Sequence, residues 1–322
     1  MKFFLGVDTS NYTTSLCLLR QDGVIAADLR QMLTVASGGR GLRQSEALFQ
    51  HVLNLPELAG KMRHYLRGGE IAAVGVATKP RPWADSYMPV FLPGRGLAVS
   101  LAELLDVECY SISHQENHIY SGIGGAGGPT GDEFLTIHLS GGTTELVRAE
   151  LDRRDWSLDL EIWGETLDLH AGQLIDRLGV ELGLDFPAGP ELEHLALQAA
   201  TSVPVATYHK AGQVSFSGPL TALERLIGKE SRQVLALSCF EAVTRTLLKW
   251  IKWAGKKAET RDLLIVGGVA ANSIIRGRLQ HSLRDWNLYF APARLSTDNA
   301  CGAAYYAALA AGALPFGSKF SD

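Results

Sequence analysis

The chain is poor in the features that would settle a function class outright. Its 322 residues hold only four cysteines, Cys17, Cys109, Cys239 and Cys301, with no Cys-x-x-Cys pair. That spacing argues against a thiolate zinc module, a redox dithiol or a disulfide framework, and points to buried thiols in a reducing cytoplasm. There is no excess of positive charge: 30 Lys and Arg stand against 34 Asp and Glu, a net charge of -4. A stand-alone nucleic-acid binder is therefore not expected, and any nucleic-acid substrate has to meet a local basic surface or a partner protein. No apolar run reaches the length of a membrane span; the stretch 300–315 is shorter and rich in alanine and glycine, as in a closely packed core helix. The first residues carry one lysine and an apolar run broken by Asp8, so no signal peptide is expected. Low-complexity tails and long charge runs are also missing, which leaves nothing pointing to disorder. A chain this long suffices for two domains and buries about three-quarters of its unfolded surface.

What is present reads as an alternation of strands and helices. Residues 2–7 form a β-rich run, a polar turn follows at Asp8-Thr-Ser-Asn-Tyr, residues 13–19 form a second run, and Asp22-Gly23 turns the chain into a third from Val24. The pattern returns at 134–139, where Ser140-Gly-Gly142 leads into 143–147 and then a strand near 158–163. This duplication predicts two similar α/β halves facing each other across a cleft. We place the halves at 1–128 and 129–299, with the helix at about 300–314 packing back on the first, and read the glycine-rich 122–131 as a hinge loop. Helical periodicity covers 46–65, 97–105, 172–184, 220–226 and 234–254, and a strand at 263–266 ends in Gly267-Gly268.

The most informative feature is Ser113-His-Gln-Glu-Asn-His118. A spacing of four puts His114 and His118 on one face of a helix, a geometry that chelates metal, although surface histidines share that spacing. The segment follows a strand-like run, where α/β folds hold ligands, and Ser113 with Glu116 has capping-box spacing. At a helix start the backbone's partial positive charge should keep both imidazoles neutral. A zinc protease would need its general base directly after the first histidine, but that residue is Gln115. A metal that positions a substrate fits better than one that activates water.

Glycine-bearing turns at Ser140-Gly-Gly142, Phe186-Pro-Ala-Gly-Pro190 and Gly267-Gly-Val-Ala-Ala-Asn272 let backbone amides approach an anion or nucleoside, and together suggest a nucleotide cleft. Asp176, Asn272 and Asp298 stand beside such turns or helix starts. Each has a plainer reading as helix-surface polarity or a cap. Asp298 could instead complete a two-histidine, one-carboxylate metal set.

Taken together, His114-x-x-x-His118, Leu139-Ser-Gly-Gly142, Gly164-Glu-Thr-Leu-Asp168, Phe186-Pro-Ala-Gly-Pro190, Val214-Ser-Phe-Ser-Gly218, Gly267-Gly-Val-Ala-Ala-Asn272 and Ser296-Thr-Asp-Asn299 resemble, in order and rough spacing over nearly the whole chain, the tRNA threonylcarbamoyladenosine synthase family, formerly O-sialoglycoprotein endopeptidases. The resemblance implies duplicated ribonuclease-H-like lobes of the sugar-kinase, actin and heat-shock-chaperone superfamily. It implies one iron or zinc ion on His114, His118 and Asp298. It also implies an adenylate or ATP-type nucleotide held between the lobes by His138, Leu139, Ser140, Gly141, Gly142, Asp176, Gly189, Gly268 and Asn272. The implied reaction moves a threonylcarbamoyl group from threonylcarbamoyl-adenylate to the tRNA adenosine beside the anticodon, with helper proteins and no membrane. The metal would act as Lewis acid and template.

The departures are local. The family's Glu-Thr-Ser-Cys-Asp-Glu-Thr turn is Asp8-Thr-Ser-Asn-Tyr-Thr-Thr14 here, its Gly-Pro-Gly loop is Lys79-Pro-Arg-Pro-Trp-Ala-Asp-Ser-Tyr87, the histidine after Ser-Gly-Gly is Thr143, and a glycine between the metal histidines is Asn117. A paralogue with another acceptor is thus an alternative. A small-molecule kinase of the same fold is a second, with Asp8 as the catalytic base, and a non-catalytic dimerisation platform a third, against which the three ligand residues speak. In the new loop, Lys79, Arg81 and Trp83 combine phosphate-seeking charge with a stacking ring, or form an ordinary proline-stiffened loop.

Overall fold

The computed structural model describes residues 1–10, 12–35 and 42–321, so Asn11 of the first turn lies outside the described residues. The chain divides into two compact units, one made of Met1–Thr130, Leu151–Leu158 and Arg294–Asp322, the other of Gly131–Glu150 and Asp159–Ala293.

In the first, strands β1 (Lys2–Asp8), β2 (Thr13–Arg20), β3 (Ile25–Met32), β4 (Glu70–Lys79) and β5 (Glu108–Ser113) form a sheet in the order β3-β2-β1-β4-β5. The β1–β2 and β2–β3 pairs are antiparallel, as tight turns require, whereas β4 and β5 join in parallel after crossovers through α1 (Gln44–Met62) and α2 (Leu92–Leu105). Phe3, Leu5, Val7, Leu16, Leu18, Val74 and Val76 bury one face against Leu55, Leu58, Ala98 and Ala102 of those helices. On β1 and β4, Gly6 and Gly75 let a C-terminal helix, Cys301–Ala310, lie directly on the sheet, since a Cβ there would stand 2.0 Å and 1.9 Å from the Ala300 and Ala303 carbonyls. That helix is buried almost throughout, as its alanine-rich composition predicts.

Helix α3 (His114–Ala126) runs through part of the glycine-rich stretch that reads as a hinge in the sequence. Gly122, Gly124 and Gly125 are buried in it, and only at Gly127, with φ +75°, does the chain leave the helix. The reason is packing: a Cβ on Gly124 would stand 2.2 Å from the Phe320 ring. Close approach outweighs the helix-breaking tendency of glycine.

The second unit repeats the topology. Strands β6 (Glu133–Leu139), β7 (Thr144–Asp152), β8 (Ser157–Glu165), β11 (Asp262–Val266) and β12 (Asn287–Phe290) lie in the order β12-β11-β6-β7-β8, with β6–β7 antiparallel and β11 parallel to β6 and β12. A small ribbon of β9 (Tyr208–Lys210) and β10 (Gln213–Ser215) joins helices α4 (Ala171–Glu181), α5 (Gly189–Ala196), α6 (Ser217–Glu224), α7 (Arg232–Ala254) and α8 (Ser273–Ser282). Trp250, Phe216 and Phe240 are the largest side chains of its core. Among the described residues no helix is long and apolar enough to cross a membrane.

Candidate metal centre and nucleotide-binding turns

The histidine pair is set by the end of β5. Ser113 Oγ accepts from Glu116 N at 3.2 Å and Ser113 N donates to Glu116 Oε2 at 2.7 Å, the capping box expected from the sequence. The cap starts α3 at His114 and puts His118 one turn on, with the two Nε2 atoms 3.1 Å apart. Asp298, from the segment before the C-terminal helix, brings Oδ1 to 3.4 Å from His118 Nε2 and 3.6 Å from His114 Nε2. Such a triangle has a point about 2 Å from all three atoms, the ordinary bond length from imidazole nitrogen or carboxylate oxygen to zinc. Two histidines and one carboxylate with other positions open also suit ferrous iron. The donor set fits the ion that the sequence implies.

At the start of the C-terminal helix Asn299 Oδ1 accepts from Cys301 N at 2.8 Å, while Oδ1 of the neighbouring Asp298 faces both histidines.

Behind the pair lies a buried polar network that sequence reasoning missed. Asp8, fully buried at the end of β1, accepts from Ser10 N at 2.7 Å through Oδ1, and its Oδ2 lies 2.9 Å from His114 Nδ1 and 2.7 Å from Asn117 Nδ2. A carboxylate only accepts, so His114 Nδ1 carries a proton and Nε2 is the ring nitrogen turned to Asp298 and His118, the one that would bind a metal on losing its own proton. Asn117 in turn donates to the Asn299 carbonyl at 2.5 Å and accepts from Ala303 N at 2.8 Å, tying α3 to the C-terminal helix. The polar character of Asp8 and Asn117 was the available signal; their separation of 109 positions hid the pairing.

The neutral His114 expected at a helix start is not what these charges favour. Desolvation lowers its pKa, but Asp8, by charge and hydrogen bond, and Asp298 outweigh it and raise the ring to about 9. The same two carboxylates would stabilise a metal cation at Nε2.

The glycine turns belong to the second unit. Ser140 Oγ accepts from Thr143 N at 2.9 Å and Gly142 N at 3.2 Å, closing the turn after His138 and Leu139 of β6. Gly172 of α4 packs on it, N donating to the Ser140 carbonyl at 3.1 Å, and Gly267, with φ +97°, packs against Leu139. Asp176 Oδ1 accepts from Ala188 N at 2.9 Å and so holds the residue before Gly189, the start of α5, to α4. Asn272 caps α8, its Oδ1 accepting from Ile275 N at 2.9 Å. Its plainer reading is therefore realised, with the amide nitrogen not used in that cap. Glu193, unnoticed in the sequence, accepts from Ser273 N at 2.7 Å and links α5 to α8. Cβ atoms on Gly141, Gly142 and Gly268 would meet nothing within 4 Å, so these backbones stand open to a ligand.

Two other motifs form one joint. Asp168 accepts from Ser215 Oγ at 2.6 Å, Phe216 N at 2.9 Å, Ser217 N at 3.2 Å and also Ser217 Oγ. Burial raises this carboxyl, but the serine hydroxyls and backbone N–H groups prevail and hold it at about 2. A depressed carboxylate stabilises the fold fully above its ordinary value of about 3.9, and the effect fades as pH falls through about 2. Asp168→Asn should accordingly lower the urea midpoint most above about pH 4, with the gap to wild type closing towards pH 2. A gap independent of pH would contradict this role.

Comparison with known proteins follows the same lines. A profile of the tRNA N6-adenosine threonylcarbamoyltransferase family matches residues 91–305, from before His114 and His118 to beyond Asp298. The chain belongs to this family. It is an enzyme of the acyltransferase type. Among curated relatives, the tRNA N6-adenosine threonylcarbamoyltransferase of Chlorobium phaeobacteroides is 28% identical over 95% of this chain and 92% of its own, and that of Thermus thermophilus 30% identical over 92% and 88%. Solved structures share the fold at much lower identity. T. kodakarensis HypF gives a TM-score of 0.63 at 13% identity over 97% of this chain and 48% of its own. The (R)-2-hydroxyglutaryl-CoA dehydratase component A of Acidaminococcus fermentans gives 0.55 at 16% over 97% and 100%, and a ROK family glucokinase from Streptomyces griseus 0.52 at 13% over 96% and 99%. These likenesses show the fold, two α/β units of the kind found in HypF and a sugar kinase, as the resemblance to the family implies.

Proposed function

We propose that this chain transfers a threonylcarbamoyl group from threonylcarbamoyl-adenylate to the N6 amine of the tRNA adenosine beside the anticodon, in the cytoplasm and with helper proteins. The observation that carries the reading is the His114, His118 and Asp298 donor triangle, with edges of 3.1–3.6 Å, in a chain of this family. In the reaction the amine nitrogen attacks the carbamoyl carbon, the bond from that carbon to the phosphate oxygen breaks, AMP departs with the electron pair and the amine loses a proton. His114, His118 and Asp298 would hold one iron or zinc ion, whose chemistry is to bind and polarise the threonylcarbamoyl group. The open backbones of Ser140, Gly141, Gly142 and Gly268, with His138, Leu139, Gly189 and the amide of Asn272, would receive the adenylate, and Asp176 its ribose. The net charge of -4 supports a division of labour in which partner proteins supply much of the phosphate binding.

Against the kinase alternative speaks the burial of Asp8, whose oxygens bond Ser10 N, His114 and Asn117. The test supplies threonylcarbamoyl-adenylate and unmodified tRNA, with and without cognate partners, and reads nucleosides by mass spectrometry. Adenylate consumed without tRNA modification would redirect the reading to another acceptor, and failure to bind the adenylate would remove it.

Gly268→Val tests the nucleotide placement. Its side chain would enter open space, so the fold should hold while the backbone approach is blocked. Calorimetry is expected to read at least a ten-fold loss of adenylate affinity, about 1.4 kcal/mol. Unchanged affinity would exclude this turn.

A further inference from the structure

The loop after β4 is a closed, preformed element. Lys79 does not reach for phosphate; its Nζ donates to the Pro82 carbonyl at 2.7 Å and the Trp83 carbonyl at 3.5 Å, fastening the loop from within. Arg81 N donates to Ser86 Oγ at 3.0 Å, and Ser86 N to the Trp83 carbonyl at 3.2 Å. Gln115 N donates to the Pro80 carbonyl at 3.1 Å, so the loop is pinned to the residue directly after the first candidate metal ligand. On this scaffold Trp83 is 42% exposed and Tyr87 65%, and the Arg81 guanidinium lies 5.1 Å from the Trp83 ring centroid.

A tryptophan 42% exposed with a guanidinium 5.1 Å from its ring centroid, on a preformed loop, is suited to an unpaired nucleobase. The ring offers a π face, the guanidinium offers charge for the adjoining phosphate, and little ordering entropy remains to be lost. We propose that Trp83, with Arg81, stacks a single-stranded base of the acceptor RNA next to the metal centre, and so helps place the reacting adenosine. The proposal rests on the tRNA reading above and adds the residues that grip the acceptor. A basic site within an acidic chain is what that reading otherwise lacks.

The experiment measures binding of an unmodified anticodon stem-loop RNA and of a fully paired duplex of equal length to the metal-loaded full chain, by fluorescence anisotropy across a salt series. Wild type should prefer the stem-loop. Trp83→Ala should weaken it about ten-fold or more, Trp83→Phe should restore most of the affinity, and Arg81→Ala should reduce the salt slope by about one phosphate contact. Metal content and adenylate affinity should stay at wild-type values in all three. A Trp83→Ala affinity within two-fold of wild type, or equal binding of duplex and stem-loop, would overturn the proposal while leaving the transferase reading intact. Loss of metal or adenylate in Trp83→Ala would overturn it in favour of a loop that merely supports the site. Adenylate binding without RNA binding by wild type, alone and with cognate partners, would overturn it together with RNA as acceptor, and absence of both would remove the transferase reading as well.

Discussion

Alanine at both His114 and His118 is expected to strip the purified protein of its stoichiometric metal and to reduce threonylcarbamoyl transfer to background. Of the three donors at 3.1–3.6 Å from one another, only Asp298 would remain, and one carboxylate does not retain a divalent ion against solvent. Elemental analysis reads the loss directly. Because metal bound to the folded state raises stability by mass action, a chelator should lower the melting temperature of wild type and leave that of the double variant unmoved. This second reading separates metal loss from damage to the fold. Some damage is expected, since removing His114 takes one partner from buried Asp8, at a cost of about 1–3 kcal/mol. Full metal retention in the double variant would sink the assignment, whatever its activity.

The parts of this site legible in the sequence were the local ones. His114 and His118 are four residues apart, and Ser113 and Glu116 three, so helix periodicity and cap chemistry were enough to orient them. The hairpins β1–β2 and β6–β7 were likewise visible as alternating runs joined by short turns. What escaped depended on distant partners. The helix through residues 122–126 is held by Phe320, nearly two hundred positions away, so its glycines read as a hinge until that ring was in view. Asp298 and Asn299 are adjacent, and nothing local says which turns to the histidines; Asn299 is engaged by Ser121, donating to its Oδ1 at 3.0 Å, and by Asn117, donating to its carbonyl. The protonation of His114 was misjudged for a related reason. A helix terminus carries roughly half a charge, and two whole carboxylate charges at 2.9 Å and 3.6 Å outweigh it. Lys79, which the sequence offers either to phosphate or to a proline-stiffened loop, is engaged by the loop it belongs to.

Asp8 offers the sharpest division between readings of this fold. If it orients His114, Asp8→Ala should weaken metal binding by about 10- to 100-fold, the usual effect of removing the carboxylate behind a ligating histidine. Asp8→Asn should fall between, because its amide oxygen can still accept from His114 Nδ1 and fix the ring while the charge is gone. Transfer activity should track metal occupancy across the series and return in part when metal is supplied in excess. If Asp8 were instead the base of a phosphoryl transfer, both variants would keep wild-type metal affinity and lose ATP turnover, with no rescue by metal. The geometry favours the first outcome: a carboxylate with no exposed surface, whose Oδ2 is shared between His114 and Asn117 and whose Oδ1 is bound to Ser10 N, is placed to orient a histidine rather than to meet a substrate hydroxyl. A metal titration of the two variants therefore tests the orienting role, the kinase alternative and the donor set together. Unchanged affinity in Asp8→Ala is the result that the arrangement of β1 and α3 does not allow.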